Sequence, residues 1–289
     1  MKFGTYFAYW EREWDADYVF YCKKVADLGF DILEIAAGGL VEKTDKELMD
    51  IKRAAQDNGI RLTSCIGLPP QYNTASEDEA VRRAGVEYLK RIMDAMYKVD
   101  SHILGGIIYA YWPCDYSKQV DKKRARNAAV RSMQEAADTA KSLDIVLAME
   151  TVNRFEQYII NSAEEAVEFV KEIGKENAKV MLDSFHMNIE EDDLGEAIRH
   201  TGTHLGHFHI GEGNRKVPGK GRMPWAEIGA ALREIGYDGA VVMEPFVKMG
   251  GSVGSDIKVW RDMSDGASQT QLDTDIREAL QFVKKQFVK

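Results

Sequence analysis

The sequence predicts a single (β/α)8 barrel of the α/β class, spanning residues 1–289, on three observations. Short apolar runs alternate evenly with segments of helical spacing, and eight such runs can be counted. Four of the runs, DIVLAME, AKVMLD, LGHFH and GAVVME, end in a residue able to ligate a metal: Glu150, Asp183, His209 and Glu244. The intervals from 150 to 183, 183 to 209 and 209 to 244 are 33, 26 and 35 residues, each about the length of one strand with its returning helix. Such units in series build a parallel sheet. Closed into a barrel, that sheet brings its strand C-termini together on one open face.

The first four strands are FGTYFAYW (3–10), DILEIAA (31–37), RLTSCIG (61–67) and SHILGGII (101–108). Between strands, DADYVFYCKKVADLGF and TDKELMDIKRAAQDNG carry apolar residues at spacings of three and four and close on Gly29 and Gly59, as helices do. A chain of this length could form two domains, but no linker, Pro-rich stretch or low-complexity block divides it. The segments at 68–80 and 246–270 exceed a minimal connection. Both follow strand C-termini, so both are expected to overhang the open face.

Composition narrows the function classes. At 45% hydrophobic and 29% charged residues, the chain can fill a large core and still cover its surface. Its apolar runs fall far short of the ~20 residues that a membrane span needs. The N-terminal MKFGTYFAYWEREWD meets charge too early for a signal peptide. Cys22, Cys65 and Cys114 are odd in number and lack a CxxC pair, so neither a disulfide framework nor a zinc knuckle is expected. A net charge of −9 repels phosphodiester backbones. The expectation is a soluble cytoplasmic enzyme acting on a small molecule, with neither nucleic acid nor membrane as partner.

An acidic residue at a strand end is commonly a solvated loop residue or a helix N-cap. Three acidic residues and a histidine at the same point of successive strands are better explained by one shared site. His209 is the nearer of two same-sided histidines to the open face, and His207 is read as structural, below it. His102, His200 and His204 are read as structural or surface residues. His186, three residues beyond Asp183, is either structural or a substrate contact. Three carboxylates and one imidazole form a hard, anionic set suited to one Mn2+ or Co2+, with Mg2+ also admitted. Glu150 and Glu244 come from strands three steps apart around the ring and so approach from nearly opposite sides. A carbon held between them can lose a proton to one and regain a proton from the other on its opposite face, while the ion acts as a Lewis acid on neighbouring oxygens.

At these residues the chain resembles the ketose 3-epimerases, the D-tagatose and D-psicose (allulose) 3-epimerase family of metal-dependent, xylose-isomerase-like TIM barrels. The resemblance runs from GTYFAYWEREW through LGFDILEIAA, YWPCDYS, NRFE, VMLDSFHMNIEED, GHFHIGEGNRKVPGKGRMPW and VVMEPFVKMGG to GSDIKVWRD. It implies Glu150, Asp183, His209 and Glu244 as metal ligands, with Glu150 and Glu244 as the two acid/base groups. It further implies that Glu156, His186 and Arg215 hold the O1 to O3 end of an open-chain ketose. Tyr6, Trp14, Trp112 and Phe246 match positions flanking the sugar, and a homodimer or homotetramer is implied. Independently, Arg215 just beyond the His209 strand could bond sugar hydroxyls or fix Glu156. The glycines of GEGNRKVPGKG, without GKS/T, read as a flexible lid rather than a phosphate cradle.

Four positions depart from the family pattern. Cys65 and Leu68 stand where a small residue and a proline are usual, Ile107 replaces a small residue and Ile210 a threonine. All four are expected near the mouth, narrowing the distal end of the sugar pocket. Three other functions fit these residues less well. An aldose-ketose isomerase needs only one well-placed base; a barrel endonuclease needs more histidines than the six here and a basic surface; a non-catalytic sugar-binding protein has no use for two acid/base carboxylates around a metal.

Overall fold

The computed structural model describes residues 1–117 and 119–288. Its eight strands are β1 (Lys2–Tyr6), β2 (Ile32–Ala36), β3 (Arg61–Cys65), β4 (Ser101–Gly106), β5 (Val146–Glu150), β6 (Ala178–Asp183), β7 (Leu205–Ile210) and β8 (Ala240–Met243). They pair in parallel in chain order, and β8 returns to β1 to close the barrel. Around it lie α1 (Tyr18–Leu28), α2 (Asp45–Asp57), α3 (Glu79–Val99), α4 (Lys122–Ser142), α5 (Ala163–Ile173), α6 (Ser184–Glu190), α7 (Leu194–Thr201), α8 (Trp225–Glu234), α9 (Gly251–Asp256) and α10 (Gln269–Phe287). Among the described residues no helix is long and apolar enough to cross a membrane.

Local chemistry sets the helix boundaries. Asp17, Asp121 and Ser162 each accept a backbone N–H from the first turn of the helix they precede, and Thr44 and Glu47 form a reciprocal capping box at α2. Gly29 ends α1 at φ 92°, a left-handed conformation that costs glycine nothing. Four expectations need correction. The first strand stops at Tyr6, because Phe7–Tyr9 turn into a 3-10 helix whose aromatic side chains are all buried. Tyr9 and Trp10 there donate to the Leu272 carbonyl and to Asp273 of α10. β3 and β4 likewise end at Cys65 and Gly106 rather than at 67 and 108, and two helices, α6 and α7, fill the one interval between β6 and β7.

The barrel interior is layered, as strand alternation requires. Ile32, Ala240 and Val242, with Ile103, close the lower end; Cys65, Ala148 and Met181 lie on another side of Ile103. One register shift matters for the site. Val180 pairs with Leu205 but Met181 with His207, so Gly206 is skipped and Asp183 comes level with His209. Without that irregularity Asp183 would face Phe208, whose side chain points to the opposite side. Gly206 suits the shift, since a Cβ there would collide with the side chain of Lys179.

Candidate active site

Glu150 and Asp183 are the last residues of β5 and β6, His209 is the penultimate residue of β7, and Glu244 directly follows β8. Glu244 keeps the ladder going, its N–H donating to the Ile210 carbonyl at 3.0 Å. One ligand atom from each of the four lies within 4.8 Å of the others, and all four residues are buried. The geometry thus brings together the quartet expected from the sequence.

Burial of so many carboxylates has an electrostatic cost. Burial, then the neighbouring Glu244 carboxylate, pushes the Glu150 carboxyl well above the usual range, and burial raises Asp183 despite Arg215. Glu244 goes the other way: burial opposes ionisation, but His209 and Arg215 hold it below its ordinary value. Arg215 Nη1 donates to Asp183 Oδ2 at 2.9 Å and to Glu244 Oε2 at 2.8 Å, with its guanidinium 3.8 Å from the centre of the Phe185 ring. Its φ of 63° is a conformation that an L residue adopts at a cost of about 1–3 kcal/mol.

The quartet fits a divalent cation on two counts. His209 Nδ1 is buried, lacks a hydrogen-bond partner and lies 3.4 Å from Glu244 Oε1; burial opposes its charge, but Glu34 and Glu244 raise this imidazole well above its ordinary value, so positive charge is favoured at this point among anionic oxygens. The donor set is hard and negatively charged beyond what one guanidinium offsets, which a divalent ion would relieve. Asp183 also caps α6, its Oδ1 accepting the Phe185 N–H at 2.8 Å. The helix-cap and ligand readings of this residue are therefore compatible.

Above the quartet opens a cavity of about 310 Å³. Glu150, Glu156, His186, Arg215, Glu244, Tyr6, Trp14, Trp112 and Phe246 all line it, so every substrate contact expected from the sequence faces one space. Tyr6, Trp14 and Phe246 form a mutual ring cluster with centroids 6.1–6.2 Å apart. Trp14 donates to Asp256 at 2.8 Å and Trp112 to Glu156 at 2.6 Å, so both indoles are fixed by their N–H groups. His186 is buried; its Nδ1 receives the Asn153 backbone N–H at 3.2 Å and lies 2.8 Å from the Asn153 amide nitrogen. His186 Nε2 lies 3.3 Å from Arg215 Nη2, itself a donor, and 3.6 and 3.7 Å from Glu150 and Asp183, so both ring nitrogens face donors. Burial, with Arg215 nearby, keeps this imidazole neutral.

Several features differ from the sequence reading. The GEGNRKVPGKG segment is not a loose lid: Glu212, 1% exposed, accepts from the N–H groups of Gly219 and Met223 and from Trp225 Nε1. A buried carboxylate with three donors pins that loop at both ends and sets Arg215 between them. Of the four departures, only Cys65 and Ile107 line the cavity. Leu68 and Ile210 are fully buried elsewhere, Ile210 because alternation turns it away from its neighbour His209. Of the two long segments, 68–80 contributes Pro69 to the wall and 246–270 contributes Phe246, Asp256 and Ile257.

Residue-level reasoning passed over Glu34 and Asn153. Glu34 is fully buried in the middle of β2, and its signal was a lone carboxylate inside the apolar run DILEIAA. Asn153 opens the NRFE motif, and its role became legible only through its contact with His186.

The chain matches the family described as xylose isomerase-like TIM barrel over residues 22–286. It is 55% identical to D-psicose 3-epimerase of Agrobacterium fabrum (strain C58) over 282 residues, 98% of each chain. It is 52% identical to D-psicose 3-epimerase of Ruminiclostridium cellulolyticum, covering 98% of this chain and 96% of the relative. A crystal structure of D-psicose 3-epimerase in the presence of D-fructose superposes with a TM-score of 0.99 at 54% identity, both chains covered in full. The chain therefore belongs to the ketose 3-epimerases, carbohydrate epimerases of the isomerase class built on the xylose isomerase-like TIM barrel.

Proposed function

We propose that the protein epimerises free ketoses at C3, interconverting pairs such as D-fructose with D-psicose or D-tagatose with D-sorbose, through proton transfer between Glu150 and Glu244. The observation that carries the reading is the meeting of these two carboxylates, from the ends of β5 and β8, in one aromatic-walled cavity. One glutamate takes the C3 proton and the C–H electron pair passes toward the neighbouring carbonyl as an enediolate. The other returns a proton to the opposite face, so one C–H bond breaks, one forms, and the configuration inverts.

Glu150, Asp183, His209 and Glu244 would hold one Mn2+ or Co2+, with Mg2+ also admitted by the donor set, supplying Lewis acidity to the oxygens beside C3. Arg215 and His186 hold the O1 to O3 end of the sugar, with Arg215 presenting donors, and Glu156, oriented by Trp112, presents an acceptor. Tyr6, Trp14, Trp112 and Phe246 offer ring surface to sugar C–H groups and keep water from the reacting carbon. A single catalytic domain over 1–289, a cytoplasmic location and a homodimer or homotetramer complete the reading. Incubating the purified protein with Mn2+ or Co2+ and a panel of ketoses, and resolving the products by chromatography, tests it. C3 epimers are the expected products; aldoses would instead identify an aldose-ketose isomerase.

A further inference from the structure

Directly beneath the quartet lies a buried set of groups that the proposed chemistry leaves unused. Glu34 Oε1 lies 2.5 Å from His209 Nε2 and Glu34 Oε2 lies 2.7 Å from His207 Nε2, while Thr63 Oγ1 donates to Oε2 at 2.8 Å. Glu34, His207 and His209 are all fully buried.

The geometry points to Glu34 as the residue that fixes the tautomer and ring orientation of His209, so that its Nδ1 lone pair faces the proposed metal site. The argument is one of donors and acceptors. A carboxylate has no proton to give, so Nε2 of His209 must donate to Oε1, and in the neutral ring the lone pair is then on Nδ1. That is the nitrogen left unpartnered beside Glu244. Thr63 and His207 occupy the other oxygen, which prevents the carboxylate from rotating away. Carboxylates behind ligating histidines recur as tautomer-setting groups in metal sites generally.

The three residues do not serve as a second metal site. An ion about 2.0–2.2 Å from both a histidine nitrogen and a carboxylate oxygen would hold these atoms farther apart than 2.5 and 2.7 Å. Those separations fit a shared proton.

The inference rests on the proposed metal site, and its test separates the two. Mn2+ binding to the parent protein and to Glu34→Gln is measured by calorimetry, with stoichiometry, alongside the Tm of each apoprotein. In the variant, Thr63 and His207 claim the amide oxygen, so the NH2 group faces His209 Nε2 and drives the ring proton onto Nδ1. Glu34→Gln should bind Mn2+ about 10–100-fold more weakly, with one site per chain in the parent. His207→Gln keeps a donor to Oε2 and should stay within about threefold of the parent in Kd even if its Tm falls, a split that a merely structural network would not give. Should Glu34→Gln not fold, Thr63→Val, which loosens the same carboxylate, should weaken Mn2+ binding severalfold. A parent that binds no ion removes the metal site itself. A parent that binds two ions, or a Glu34→Gln or Thr63→Val variant with an unchanged Kd, overturns the role of Glu34.

Discussion

Trp112 donates its indole N–H to Glu156 Oε2 at 2.6 Å, joining the loop after β4 to the loop after β5 across the cavity mouth. Burial raises the Glu156 carboxyl, while Arg215 and this bond favour its ionised form. An aromatic wall residue thus also orients a polar one. Trp112→Phe keeps the ring surface but removes the donor, and a hydrogen bond to a charged group is worth about 1.5–3 kcal/mol. A fall in kcat/KM of roughly tenfold or more is expected, carried mainly by KM, with Tm little changed. Unchanged KM in steady-state kinetics would place Glu156 outside substrate binding.

Removal of the metal should be felt in both activity and stability. With Glu150 and Asp183 already pushed toward protonation by burial and by other carboxylates, the apoprotein carries unrelieved repulsion. Chelation should abolish turnover and lower Tm, and Mn2+ or Co2+ should restore both. At an ion concentration 100 times Kd, the stabilisation is about 2.7 kcal/mol. Full activity after exhaustive chelation, checked by elemental analysis, would exclude metal dependence.

Selectivity among ketoses should reside at Ile107, which lines the cavity and is 4% exposed. Ile107→Ala should change the relative kcat/KM values among ketohexoses by about 1–3 kcal/mol, the range for small changes in an apolar pocket. Ile210→Thr, facing away from the site, should leave those ratios unaltered. Competition assays with pairs of ketohexoses give both comparisons.

The loop bearing Arg215 depends on Glu212. Glu212→Ala leaves the Gly219 and Met223 amides and the Trp225 indole N–H without their acceptor, at roughly 1–3 kcal/mol for each donor left unpaired. A lower Tm and a raised KM should appear together. A variant with parental Tm would show that the loop finds other acceptors.

Much of this was legible in the sequence because barrel strands bring the residues at and beside their C-terminal ends to one face. Glu150, Asp183, His209 and Glu244 could be read from strand ends alone, since each strand ends at the same face. What escaped was set by contacts between residues distant in sequence. Glu34 meets His209 across 175 positions, which no local pattern reveals. The GEGNRKVPGKG segment reads as a flexible lid because its glycines are local, whereas Glu212 and its three donors come together only in the folded loop. Ile210 follows His209 in sequence but lies away from the cavity, because successive strand residues face opposite sides. The skipped Gly206, which brings His209 level with Asp183, depends on its packing against Lys179 of the neighbouring strand.

The central claim is that Glu150 and Glu244 serve opposite faces of C3, and solvent deuterium exchange tests it most directly. Glu150→Gln and Glu244→Gln, each verified to retain metal, are incubated with D-fructose and with its C3 epimer in D2O, and deuterium at C3 is followed by NMR. Neither variant should epimerise, because one face lacks a proton carrier. Each should exchange C3 with retained configuration in a different epimer, the one whose proton faces the surviving glutamate. Exchange of the same epimer by both metal-loaded variants, or epimerisation at the parental rate by either, would contradict the opposed-glutamate account and favour a one-base isomerase.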